Sequence, residues 1–141
     1  MMATSLPTQE QLERQVLSFR REPVGPGVLL AHIAISEGQS SSLHRHTRTT
    51  DTFYVMGGEL TVTVHVAPDR VADSYRTLCS TPPAVRKLDD TREAHDLRLL
   101  PGEVATVLAG VAHSTTNRGR EPCRFLCIEG VGPYDFLPLA E

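Results

Sequence analysis

Cysteine is too scarce to staple this chain. Three residues, at positions 79, 123 and 127, leave one over in any pairing. Cys123 and Cys127 are spaced C-x3-C with no second Cys or His pair beside them, which argues against a zinc knuckle. The three read as buried thiols in a reducing compartment. No apolar run reaches the length of a membrane span, and the N-terminus carries no apolar signal core, so no membrane partner is expected and the reading is a cytoplasmic protein. Lysine is nearly absent: Lys87 is the one lysine among 14 basic residues, an arginine skew that suggests a GC-rich genome. Nor is positive charge in excess. A net charge of −3 leaves no basic field for a phosphate backbone, and nucleic acid is not an expected partner.

What remains is a chain of 141 residues, 40% apolar and 22% charged, the size and texture of one soluble domain over 1–141. Helical periodicity is confined to residues 7–19, where Thr8 can cap, Gln11 follows as a capping-box partner, and Leu12, Val16 and Phe19 recur at helical spacing. The breaker-rich Pro23–Gly27 ends that pattern. Beyond it lie short β-like runs at 28–36, 42–47, 52–57, 59–66, 97–100, 104–109, 111–116 and 123–129. Gly57-Gly58 reads as a hairpin turn between two of them. Many short strands with Gly and Pro punctuation make an all-β sandwich or barrel. Segment 67–96, with Pro68, Pro82 and Pro83 and many charges, reads as an insertion, and its length suggests a flap at a cavity mouth.

The chemistry-bearing residues are histidines. His44-Arg45-His46 puts two imidazoles on one face of one strand, which is half of a metal site. His113 comes from a late strand-like segment. Imidazole suits zinc, iron, nickel and copper alike. His32 and His95, isolated, read as surface or satisfied core histidines.

Two longer patterns surround these residues. Gly38, His44, His46, Asp51 and Gly58 match the spacing G-x5-H-x-H-x4-E-x6-G, with Asp in place of Glu. Gly102, Gly110, His113 and Asn117 match G-x5-P-x-G-x2-H-x3-N, with Leu108 in place of Pro. In these motifs the chain resembles the cupin superfamily, a resemblance covering roughly half its length. It implies a jelly-roll β-sandwich, here with a short N-terminal helix, and a divalent metal ion held by His44, His46 and His113. Asp51, one methylene shorter than the family's Glu, is the favoured fourth ligand or a base beside the metal. His65 is the alternative if a hairpin at Gly57-Gly58 brings it level with Asp51, although the apolar face Leu60, Val62, Val64 turns His65 outward. A cupin that keeps the fold without metal is the bland alternative.

Strand parity places Phe53 and Val55 with Asp51, and Val107, Ala109 and Val111 with His113. A metal at the end of an apolar cavity suits a small hydrophobic or aromatic substrate. Arg48 is the one basic residue on these faces, which disfavours phosphosugars. In size, apolar pocket and GC-rich character the chain resembles the small cupin cyclases of aromatic polyketide (antibiotic) biosynthesis in actinobacteria. That resemblance implies a Zn2+ ion acting on an enolisable poly-β-ketone, with Asp51 or a histidine moving protons. An Fe2+-dependent cupin dioxygenase and a non-catalytic small-molecule-binding cupin are the alternatives. Strand 28–36 is apolar on both parities (Leu29, Ala31, Ile33 and Ile35 against Val28, Leu30 and Ala34), which points to a partner subunit or to the N-terminal helix as the cover of one side, and a homodimer is expected.

Overall fold

Apolar residues alternate with polar ones across Leu60–Val66, a pattern that suits a half-buried strand. A computed structural model describes residues 16–140, and strands dominate them. They are β1 (Ser18–Gly25), β2 (Val28–Ile35), β3 (His44–Arg45), β4 (Thr50–Gly57), β5 (Leu60–Val66), β6 (Tyr75–Leu78), β7 (Ala84–Lys87), β8 (Glu93–Leu99), β9 (Val104–Val107), β10 (His113–Thr116), β11 (Cys123–Gly130) and β12 (Leu137–Pro138). Two six-stranded sheets result, ordered β1-β2-β11-β4-β9-β6 and β12-β3-β10-β5-β8-β7, with all their pairings antiparallel. This is the all-β sandwich the strand texture implies.

The core lies between the sheets. Leu60, Val62 and Val64 of β5 face Val55 and Phe125 from the other layer, and all five are at most 1% exposed. Each such side chain contributes roughly 1.5–3 kcal/mol by leaving water. The outer faces differ. The β5/β8/β10 face is polar, with Thr63 donating to Asp96 at 2.6 Å and Arg118 reaching the same carboxylate at 3.1 Å. The outer face of the other sheet leaves Tyr54, Met56 and Ile128 exposed.

Three expectations need correction. The helical pattern over 7–19 falls mostly outside the described residues, and Ser18 and Phe19 open strand β1 instead of closing a helix. Gly57-Gly58 is not a hairpin turn, because β4 and β5 belong to different sheets and do not pair. The corner carries the chain across the sandwich. There Gly58 takes φ +73°, and a Cβ would meet the Pro122 carbonyl oxygen at 2.7 Å. Segment 67–96 is not a plain insertion: it holds a 3-10 turn at Val71–Asp73, then β6, β7 and the first half of β8. These strands extend both sheets, with β6 and β7 as edges.

Candidate metal centre

Register places the site. Residues directly opposite in a ladder share a face. His44, His113, Val64 and His95 form one inward row across β3, β10, β5 and β8. Glu129, Asp51, Val107 and Tyr75 form the facing row across β11, β4, β9 and β6. Two local devices set the histidines within this frame. Gly110, at φ +83°, turns the chain into β10, and its N–H donates to the His46 carbonyl at 2.6 Å. Asn117 is fully buried and brackets the far end of β10: its amide donates to the Ile35 and Glu121 carbonyls at 3.0 and 2.8 Å. Its side-chain oxygen accepts from Gly119 N–H at 2.9 Å. The motif asparagine is therefore a structural clamp.

His44, His46, Asp51 and His113 converge, with ligand atoms all within 4.8 Å of one another and every residue buried. Each imidazole is oriented by a backbone carbonyl: His44 Nδ1 donates to Ser42 O at 2.8 Å, His46 Nδ1 to Asp135 O at 2.5 Å, and His113 Nδ1 to Val111 O at 2.9 Å. A carbonyl only accepts, so all three Nδ1 atoms carry protons, and a neutral ring presents a lone pair at Nε2. The Nε2 atoms of His46 and His113 lie 2.9 and 2.8 Å from Asp51 Oδ2. Lone pairs at that distance repel unless positive charge stands among them, as extra protons or as a cation. The donor set fits a divalent metal ion in type and number.

The electrostatics agree. Burial, and then the adjacent His113, push the His44 pKa down to about 3, so it stays neutral. Burial also opposes charge on His46, but the Asp51 hydrogen bond and carboxylate outweigh it and raise its pKa. For Asp51, burial works against ionisation, and the hydrogen bonds from His113 and His46 overcome it, holding the carboxyl well below its usual range. The shorter aspartate thus reaches the cluster without the family's extra methylene. His65 does not join it: its register partner is Ala94, with Thr63 on the same outer face. His95 is a satisfied core histidine, bonded to the Tyr75 hydroxyl at 2.7 Å and to Glu93 at 3.2 Å. His32 is half-buried, 3.5 Å from Glu22.

Above the cluster lies a cavity of about 210 Å3 with a mostly apolar lining, including Phe19, Ile33, Phe53, Phe125 and Phe136. Among the described residues no arginine or lysine lines it, and Arg48 is exposed. Phe53 is where parity placed it. Val55 and Val107 are core beneath the cavity, and Ala109 and Val111 fall outside its lining because the Gly110 turn breaks the alternation.

The cover comes from the C-terminal segment, not from 67–96, none of whose residues lines the cavity. Phe136 stacks on His44 with ring centroids 4.5 Å apart, and Tyr134 lies 5.2 Å from His46. The Asp135 carboxylate is held by Thr47, through N–H at 2.8 Å and the hydroxyl at 2.5 Å, while the Asp135 carbonyl orients His46. β12 then pairs with β3. Sequence reasoning missed this segment, although two aromatics between Pro133 and Pro138 were a visible signal. It also missed Glu129, the one acidic residue on the inner parity of β11 (Cys123, Phe125, Cys127, Glu129). Burial and the neighbouring Asp51 push its carboxyl up to about 7.

The sequence matches the family described as Cupin over residues 24–131. The chain is a cupin. No curated protein matches it in sequence. Among solved structures this cupin is similar to Peruvianin-I, a cysteine peptidase from Thevetia peruviana latex (15% identity, TM-score 0.58, 80% of this chain and 56% of that one). It is similar to Lactobacillus farciminis oxalate decarboxylase in its formate complex (20%, 0.57, 83% and 28%) and to an oxalate oxidase (19%, 0.58, 80% and 46%). The cupin thus spans between about a quarter and a little over half of these chains. Three such different activities share the fold, so the fold names none of them for this protein.

Proposed function

We propose that this cupin is a metal-dependent cyclase that closes rings on an enolisable poly-β-ketone of aromatic-polyketide type. The observation carrying the reading is a buried cluster of three histidines and one aspartate on the floor of an apolar cavity with no lysine or arginine among the described residues of its lining. A dicarboxylate such as oxalate would meet the Asp51 and Glu129 carboxyls there and, among the described residues, no arginine or lysine, which favours a neutral ketone. Because an apolar cavity of about 150 Å3 accommodates benzene, 210 Å3 takes one substituted ring or the end of a longer chain. A divalent ion, Zn2+ by preference, held by His44, His46, His113 and Asp51 would supply Lewis-acid polarisation of a substrate carbonyl.

The chain's own residues supply the rest. Phe53, Phe125 and Phe136 orient an aromatic or conjugated body and exclude water from the reacting carbons. Asp51, whose Oδ1 has no hydrogen-bond partner, is placed to take and return the proton of an aldol step. The exposed Tyr54, Met56 and Ile128 support a homodimer through the outer face of the β1-β2-β11-β4-β9-β6 sheet; a sedimentation mass of one chain at micromolar concentration would contradict it.

The test incubates zinc-loaded protein with a synthetic poly-β-ketone while oxygen and products are followed. The cyclase reading expects a cyclised product lighter by water, with no oxygen uptake. Oxygen consumption with the Fe2+-loaded protein would instead establish a dioxygenase, and binding without turnover a non-catalytic binding cupin.

A further inference from the structure

Beside the three histidines lie two carboxylates with unspent hydrogen-bonding capacity. Asp51 and Glu129 are direct register partners on β4 and β11, and with Cys127 their ligand atoms lie within 4.8 Å of one another. Both line the cavity, at 2% and 5% exposure. Asp51 commits Oδ2 to His46 and His113. Glu129 is anchored by Arg21, whose Nη2 lies 3.8 Å from Oε1 and donates to the Tyr134 hydroxyl at 3.3 Å, and by side-chain hydrogen bonds with Tyr134 and Cys127. The other oxygens, Asp51 Oδ1 and Glu129 Oε2, are buried and have no hydrogen-bond partner. Such oxygens are costly to leave unpaired.

The opposite wall does not compete for a ligand's polar groups in the same way. Ser41 Oγ accepts from Thr115 N–H and hydroxyl at 2.8 and 3.0 Å, and Ser40 is bonded to Thr116 at 2.9 Å. The hydrogen-bond acceptors beside the metal cluster are therefore concentrated at one place, in a cavity otherwise built to hold an apolar body.

From this we infer that Asp51 Oδ1 and Glu129 Oε2 form a subsite for a hydroxyl group of the ligand, so that the cavity selects a ketone carrying an enolic or phenolic OH near its carbonyl. The inference rests on the ketone reading of the cavity and narrows it. An O–H donor meets the Asp51 Oδ1 acceptor there with the Glu129 carboxyl beside it as a second polar partner, whereas a methyl ether offers no donor and adds bulk. A site built to hydrogen-bond a hydroxyl discriminates strongly against the analogue lacking it, because its own polar atoms stay unpaired. The enol tautomer of a β-diketone and an ortho-hydroxyaryl ketone satisfy the requirement once the hydroxyl turns from its internal bond with the carbonyl to the carboxyls. A metal ion polarising that carbonyl would favour the exchange.

The experiment measures equilibrium binding of three probes to the zinc-loaded full chain: acetophenone, 2′-hydroxyacetophenone and 2′-methoxyacetophenone. The hydroxy compound should bind about tenfold tighter, or more, than the other two. In Glu129→Met that preference should fall to within about threefold, while acetophenone affinity holds. Glu129→Gln, closer in shape, should keep an intermediate preference. Equal affinity for the hydroxy and methoxy probes in the wild type would overturn the subsite without recourse to any variant. So would a full hydroxyl preference in Glu129→Met, which would remove Glu129 from the subsite. Acetophenone binding without a hydroxyl preference sinks the subsite and leaves the ketone reading standing; failure of all three probes to bind overturns both.

Discussion

Replacing Asp135 with alanine isolates the part played by the C-terminal segment in the metal centre. The side chain contributes two hydrogen bonds, both to Thr47 at the exposed edge of the site, and these hold in place the carbonyl that accepts from His46 Nδ1. The alanine variant keeps that carbonyl but loses the bracket, so the His46 ring gains freedom to tilt away from the cluster. Outer partners of metal-bound histidines are worth about 10–100-fold in affinity, and because the carbonyl survives, about tenfold is expected here. Solvent already screens the Asp135 carboxylate, so the unfolding temperature of the metal-free protein should barely move. The assay is competition for Zn2+ against a chromogenic chelator, with thermal unfolding as the control for folding. Thr47→Val removes one of the two bonds and should give a smaller loss in the same direction. Unchanged zinc affinity in Asp135→Ala would refute the claim that this segment orients a ligand. A large fall in unfolding temperature would show that its role is global stability.

Other consequences follow from the same geometry. Asp51→Asn keeps the shape but removes the negative charge that His46 and His113 face, so zinc affinity should fall at least tenfold in the same competition assay, by analogy with weaker outer-partner losses. Full zinc affinity would leave Asp51 as a base only. Asn117→Ala strips three hydrogen bonds from a fully buried site and should cost about 2 kcal/mol or more in a urea titration; a cost below about half of that would show the clamp to be dispensable. Native protein at pH 8 should be alkylated by iodoacetamide at half-exposed Cys79, with Cys123 and Cys127 protected. Burial pushes the Cys123 thiol up to about 12 and the Cys127 thiol well above its usual range, which leaves almost no thiolate. Rapid labelling of Cys127, read by peptide mass, would show the cavity wall to be open.

The parts legible in the sequence were those with local signals. The alternation Leu60, Val62, Val64 identified both the inner face of β5 and the outward turn of His65. The two motifs identified four residues that the fold brings together across three strands and the residue just after β3. What was hidden had no local signature. His46 and Asp135 are 89 positions apart, and nothing near either residue announces the other. All four residues of β7 are exposed on a sheet edge, so no apolar alternation marks them. In β8 the inward position opposite Val64 is a histidine, satisfied only by Tyr75 from the other sheet and Glu93 beside it, and its polarity disguised the strand. Gly57-Gly58 carried a sound turn signal. The choice between a hairpin and a sheet-to-sheet corner was set by which strands β4 and β5 pair with, namely β9 and β11 for one and β8 and β10 for the other.

The central claim is that His44, His46, His113 and Asp51 hold one divalent ion. Elemental analysis of the purified wild type, before and after dialysis against a chelator and re-addition of Zn2+, tests it most directly when run beside His44→Ala and His113→Ala. One ion per chain is expected in the re-metallated wild type and well under half of that in either variant, with all three proteins folded. Full metal content in His113→Ala after the same chelator challenge would contradict it.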